Sequence, residues 1–141
     1  MAKQKKYQLS IDNEYNYDLI GICSHYSDYR LVWSLNDVFK FNLAKAKDFF
    51  VVSNKKGAIS AFPYYYASIE DKHLEVYLIK NKHEGKLLIQ EKQQIDYFIF
   101  LCNNFAIDVA DCVNKLRKIE SIMIAYSFHA TDFQSTEYIL F

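Results

Sequence analysis

Of the 141 residues, 51% are hydrophobic, and 17 Lys and Arg balance 17 Asp and Glu. A chain of that length supports one domain with a self-sufficient core, and its hydrophobicity and zero net charge exclude intrinsic disorder. The same balance removes any global field toward nucleic acid or an acidic membrane, and no apolar run reaches the roughly 18 residues that span a bilayer.

The N-terminus, Met1-Ala2-Lys3-Gln4-Lys5-Lys6, is basic but leads to no apolar stretch, unlike a signal peptide. Residues 6–11 alternate polar and apolar side chains and predict a short strand, broken by Asp12, Asn13 and Glu14. Over residues 17–39 the spacing predicts helix, kinked or in two pieces. Leu19, Ile20, Cys23 and Tyr26 share one face, and Tyr29, Val32, Trp33, Asn36 and Phe39 continue with helical spacing. A break within residues 24–28 makes Ser27 an N-cap candidate. Gly21, inside the first piece, marks a kink or a close approach by another element.

Phe49-Phe50-Val51-Val52-Ser53 is β-branched and aromatic, hence a strand, and Asn54-Lys55-Lys56-Gly57 is a turn. Residues 60–69 form the next strand, with Pro63 implying an edge or a bulge. Glu70-Asp71-Lys72 turns the chain into residues 73–80, which alternate again, so the two runs make a hairpin. Residues 87–89 suit a short strand, and residues 95–102, apolar nearly throughout, suit a central strand covered on both faces. A helix over residues 106–118 carries the stripe Ile107, Val109, Ala110, Val113, Leu116 and Ile119, with Lys115, Arg117 and Lys118 at its C-terminal end. Residues 121–128 form a last strand; if it lies parallel to the strand at 95–102 in one sheet, the crossover should be right-handed. The apolar tail Glu137-Tyr138-Ile139-Leu140-Phe141 should dock on its own domain or a neighbour. The order predicts a single α+β domain over residues 1–141, a mostly antiparallel sheet of about five strands with helices packed on one face. Its Tyr-rich second face would be amphipathic, or covered by another subunit.

The segment Ile89-Gln90-Glu91-Lys92-Gln93-Gln94-Ile95-Asp96-Tyr97 resembles the signature of the IPExxxVDY family of small bacterial proteins. Ile89, Glu91, Asp96 and Tyr97 match directly, and Ile95 stands for Val. Gln90 stands where the signature has Pro, which restores a backbone N–H. The resemblance implies a bacterial protein of unassigned function and carries no catalytic residue. Read from the residues alone, Glu91 and Asp96 either serve nearby backbone N–H groups or form an acidic pair for acid–base or metal chemistry. Tyr97 places a ring in the core and its hydroxyl at a partner.

Cys23, Cys102 and Cys112 are odd in number and sit in apolar patterns, as packed, reduced thiols of a cytoplasmic protein do. His25, His73, His83 and His129 are scattered, without zinc-ligand spacing, although a thiol could pair with an imidazole through space. With only three Gly, a Gly-rich phosphate cradle is excluded. Neither metal nor cofactor is expected. A second candidate site is Asp28, Tyr29, Arg30 and Trp33, either an amphipathic helix with Trp33 in the core or a contact surface, since Trp, Tyr and Arg dominate hot spots.

The leading expectation is a non-enzymatic cytoplasmic protein that acts through protein contacts, as a homodimer or with another protein, and not at a membrane. One alternative is an RNA- or ribosome-associated module with Tyr64 and Tyr66 stacking bases beside lysines. The other is a small enzyme using Glu91 and Asp96.

Overall fold

The computed structural model describes residues 15–141; the strand expected at residues 6–11 lies outside the described residues. The first element is β1 (Tyr17–Ser24), a strand where the spacing had predicted helix. Its side chains alternate between two buried clusters, Ile20 and Ile22 in one, Leu19 and Cys23 in the other. A strand buried on both faces reads as a continuous apolar run, which periodicity cannot distinguish from helix. Gly21 lies within β1, and a Cβ there would meet Phe128 Cε2 at 2.7 Å and Ile95 at 3.2 Å, so the glycine permits a close approach.

Helix α1 (Asp28–Phe39) begins after Ser27, whose backbone is extended and whose carbonyl accepts from Leu31 N, although its side chain makes no cap bond. It ends at Lys40 in the left-handed conformation, with φ 59°. The Asn36 side chain then clamps the outgoing chain, accepting from Leu43 N at 2.7 Å and donating to Leu43 O at 3.1 Å. Strand β2 (Ala44–Lys45) follows, then the hairpin of β3 (Phe50–Ser53) and β4 (Ile59–Phe62), turned at Gly57 with φ +82°. Pro63 separates β4 from β5 (Tyr64–Ile69), so the run at residues 60–69 is two strands in two different sheets. Strands β6 (Leu74–Lys80), β7 (Lys82–His83), β8 (Lys86–Leu87) and β9 (Tyr97–Cys102) follow. Helix α2 (Val109–Arg117) is capped by the Asp108 carboxylate accepting from Asp111 N at 3.0 Å, and β10 (Ile122–Phe128) is the last strand.

The main sheet has six strands rather than about five, in the order β10-β1-β9-β6-β5-β2, and two of them, β1 and β2, fall where no strand was expected. Neighbours pair antiparallel throughout, so β9 and β10 run parallel to each other on either side of β1. All six residues of β9 are buried. Leu31, Val32 and Leu35 of α1 and Cys112, Val113 and Leu116 of α2 share a buried cluster with Ile20, Ile22, Leu78, Ile99 and Leu101. The other face is closed by the chain itself: Phe50, Phe62, Leu88, Ile89, Phe133 and Ile139 cover Leu19, Ile79, Phe98 and Phe100. The tail docks on its own domain, as a 3-10 turn (Ser135–Tyr138) followed by Ile139, which is buried. Phe141 packs on Tyr17, Phe50, Tyr77 and Phe100 at ring-centroid distances of 4.6–5.3 Å.

Candidate functional site

The segment that resembles the family signature is wound around one polar residue, Asn81. Its side chain is fully buried, donates through Nδ2 to Lys92 O at 2.9 Å and Ile95 O at 2.8 Å, and accepts at Oδ1 from Ile89 N at 2.9 Å. Its backbone N–H donates to Asp96 O and its carbonyl accepts from Leu88 N. An irregular loop that is buried must have its backbone polar groups satisfied, and Asn carries both donors and acceptor in one planar group. Around it Ile89 and Ile95 fill the second core cluster, while Tyr97 turns its ring into the first.

The two acidic residues serve different partners. Glu91 accepts from Gln134 N at 2.7 Å, Ser135 N at 3.2 Å and Ser135 Oγ at 2.6 Å, and thereby holds the start of the C-terminal 3-10 turn. Partial burial alone would raise its carboxyl, but the Ser135 hydroxyl and the backbone N–H groups outweigh that and hold it below the usual range. The N–H that Gln90 restores donates to Ser135 Oγ at 3.3 Å, a bond that proline could not make. Asp96 Oδ2 accepts from Ser24 N at 3.0 Å, at the irregularity where β1 parts from β10.

From Ser24 the network reaches the surface. The Ser24 hydroxyl donates to Ser121 O at 2.7 Å and accepts from Tyr26 N at 3.2 Å. Tyr26 and Ser121 line an open concavity of about 370 Å³ together with Tyr29, Arg30, Trp33 and Glu120. Arg30 lies over the Tyr26 ring, 4.2 Å from its centroid. Tyr29 and Trp33 are not core residues: they are 74% and 67% exposed, because α1 points Leu31, Val32 and Leu35 inward instead. Asp28 opens α1, half-buried, and accepts from Tyr29 N at 3.0 Å. The two groups of residues singled out in the sequence are thus connected, Asp96 fixing Ser24 beside the concavity and Tyr97 packing in the cluster beneath α1.

A second concavity, about 570 Å³, is lined by Tyr17, Glu75, Cys102, Thr136, Glu137 and Phe141 among others. Its thiol is a poor nucleophile, since burial, followed by the nearby Glu75, pushes Cys102 up to about 12. Cys112, also buried, is raised to about 12 by burial, and Cys23 is raised by burial while its Sγ lies 3.1 Å from Gln94 O. Tyr64 and Tyr66 pack on Tyr77, and Tyr64 also lies against Phe50, so these rings face their own domain. Among the described residues no three His, Cys, Asp or Glu side chains gather to hold a metal ion.

Sequence reasoning missed Asn81, which stands between Lys80 and Lys82 and looks like a solvated turn residue. It also missed Ser24, which the spacing puts at the break between two helical pieces, and Glu120 and Ser121, whose role depends on where β10 begins. The β-branched Ile20 and Ile22, together with Gly21, which disfavours helix, were the available signal for a strand there. No protein-family model, curated protein or solved structure matches this chain.

Proposed function

We propose that the chain is an IPExxxVDY-type bacterial protein of the cytoplasm that acts without catalysis, through protein contacts made at the α1 concavity. The observation that carries this reading is the exposure of Trp33 and Tyr29 beside Arg30. Large rigid aromatics and Arg supply most of the energy at protein interfaces, and leaving two of them in water has no folding benefit. The signature residues fit this reading as supports. Glu91 accepts from two backbone N–H groups and a serine hydroxyl and Asp96 from one backbone N–H, with no partner in common. No helix among the described residues is long and apolar enough to cross a membrane.

The test is affinity capture from a bacterial host with wild-type protein and with Trp33→Ala and Arg30→Ala variants. Loss of one defined co-purifying protein in both variants, with unchanged circular dichroism, supports the reading. Identical captures from all three proteins, or turnover that requires Glu91 and Asp96 together, would remove it.

A further inference from the structure

The register of the main sheet sets three side chains in one row. Tyr17 of β1 stands opposite Cys102 of β9, and Cys102 stands opposite Glu75 of β6. Cross-strand partners point to the same face. Here that face is the second buried cluster, to which Cys102 belongs and against which Tyr17 and Tyr77 pack. The row lines the second concavity, of about 570 Å³, together with Tyr15, Glu137 and Phe141.

Two polar groups of this row have no role in holding the fold. Glu75 is half-buried, on a face that β6 otherwise gives to Tyr77 and Ile79. Among the described residues its carboxylate forms no ion pair and accepts no hydrogen bond. Carboxylates drawn out of water are normally paired, as Glu91 and Asp96 are with backbone N–H groups. The Tyr17 hydroxyl is buried and also lacks a partner among the described residues, and an orphan of this kind in a native fold calls for an explanation. Burial, followed by Tyr15 and Cys102, raises the Tyr17 phenol, so it is a neutral hydroxyl that can accept as well as donate.

The lining sets the class of ligand. Among the described residues it holds two carboxylates, Glu75 and Glu137, and no Lys, Arg or His, so its potential is negative. Its rings are Tyr15, Tyr17 and Phe141, with Tyr17 meeting the other two edge-on at centroid distances of 5.6 and 5.3 Å. Aromatic faces attract cations. The carboxylates and the Cys102 thiol do not gather as a metal site, which leaves an organic cation. The volume lies within the roughly 300–1,000 Å³ of small-molecule sites.

We propose that this concavity binds a small organic amine, its ammonium held by the Glu75 and Glu137 carboxylates and the Tyr17 hydroxyl and its apolar body packed on the rings. An ammonium has three N–H donors, and these residues supply three acceptors. The site is separate from the α1 concavity and does not depend on the protein-contact reading.

Isothermal titration calorimetry of the full chain with phenethylamine tests the proposal, with 2-phenylethanol as the uncharged isostere and phenylacetate as the anion. The expected Kd is about 0.1–1 mM, rising with ionic strength, and the alcohol and the anion should bind about tenfold more weakly or worse. Amide shifts on titration should centre on Asn103, Thr136 and Glu137. Glu75→Gln keeps the side-chain size and should weaken binding about tenfold. Combining it with Glu137→Gln should abolish binding, while Trp33→Ala leaves it unchanged. Circular dichroism melts identify folded variants, and the shift map of the wild-type chain stands whether or not a variant folds. Absence of heat and of shifts up to about 10 mM amine, equal affinity for the alcohol, or undiminished binding in the folded double variant overturns the proposal. Shifts confined to Tyr29, Trp33 and their neighbours also overturn it, and assign the amine to the α1 concavity.

Discussion

Replacing Asn81 by Ala should be among the most damaging single changes available outside the apolar core. The side chain is fully buried and bonds Ile89 N, Lys92 O and Ile95 O; without it Ile89 N and Ile95 O lose their partner, while Lys92 O keeps its bond from Ile95 N. Each buried polar group left without a partner costs about 1–3 kcal/mol. A water molecule entering the vacated space would recover part of that, so the total for the two groups is about 2–4 kcal/mol. That is a large share of the roughly 5–15 kcal/mol by which small domains are stable. With a urea slope of about 2 kcal/mol/M, the denaturation midpoint followed by far-UV circular dichroism should fall by about 1–2 M. The amide proton of Ile89, bonded to Asn81 Oδ1, should lose its exchange protection. Asn81→Asp is the control: it keeps the acceptor but turns a carboxylate toward two carbonyls. Its folded-state pKa would then lie above the unfolded value of about 3.9, so the damage should be worst at neutral pH and ease on acidification. An Asn81→Ala variant within 1 kcal/mol of wild type, with Ile89 still protected, would show that the loop holds its shape without this residue.

Glu91→Gln should cost about 1 kcal/mol and loosen the turn at Ser135–Tyr138, visible as faster amide exchange at Gln134 and Ser135. Because the Glu91 carboxyl is lowered in the folded protein, its contribution is complete above the unfolded carboxyl range and is lost as pH falls through the lowered folded value. Wild type should therefore lose stability over that interval and Glu91→Gln should not; parallel pH profiles would contradict the assignment. Gly21→Ala should destabilise by about 1–3 kcal/mol, since its Cβ would stand 2.7 Å from the Phe128 ring, and Phe128→Leu should relieve part of the loss in a double-mutant cycle. The three buried thiols should react with a disulfide reagent slowly in the native protein and completely in denaturant, and a fast native phase at pH 7 would contradict the raised values at Cys102 and Cys112.

Much of the layout was legible where a local signal exists. The hairpin of β5 and β6, the buried β9, the helix before β10 and the break near Ser27 all follow from alternation, apolar runs, a helical stripe and turn residues. Residues 17–24 misled because a strand buried on both faces shows no alternation, and Leu19, Ile20 and Cys23 also suit a helical face. Pro63 signalled an interruption, but not that β4 would leave the main sheet. The backbone-serving role of Glu91 could be anticipated from its place in a turn, whereas its partners Gln134 and Ser135 lie far along the chain and carry no local mark. Trp33 was harder still, because its outward direction depends on which stripe of α1 the sheet claims, and that is settled by Leu31, Val32 and Leu35 together.

The position of β1 has a consequence for how the molecule comes into being. It is the first strand of the described chain, yet both its neighbours, β9 and β10, are among the last. During synthesis its Leu19–Cys23 stretch must wait, unpaired, while most of the polypeptide is still being made. Loop closures of that span are slow, and an orphaned apolar strand is prone to bind the wrong neighbour. Cellular yield should therefore depend less on the equilibrium stability of the finished sheet than on what shields this stretch until its pairing strands arrive.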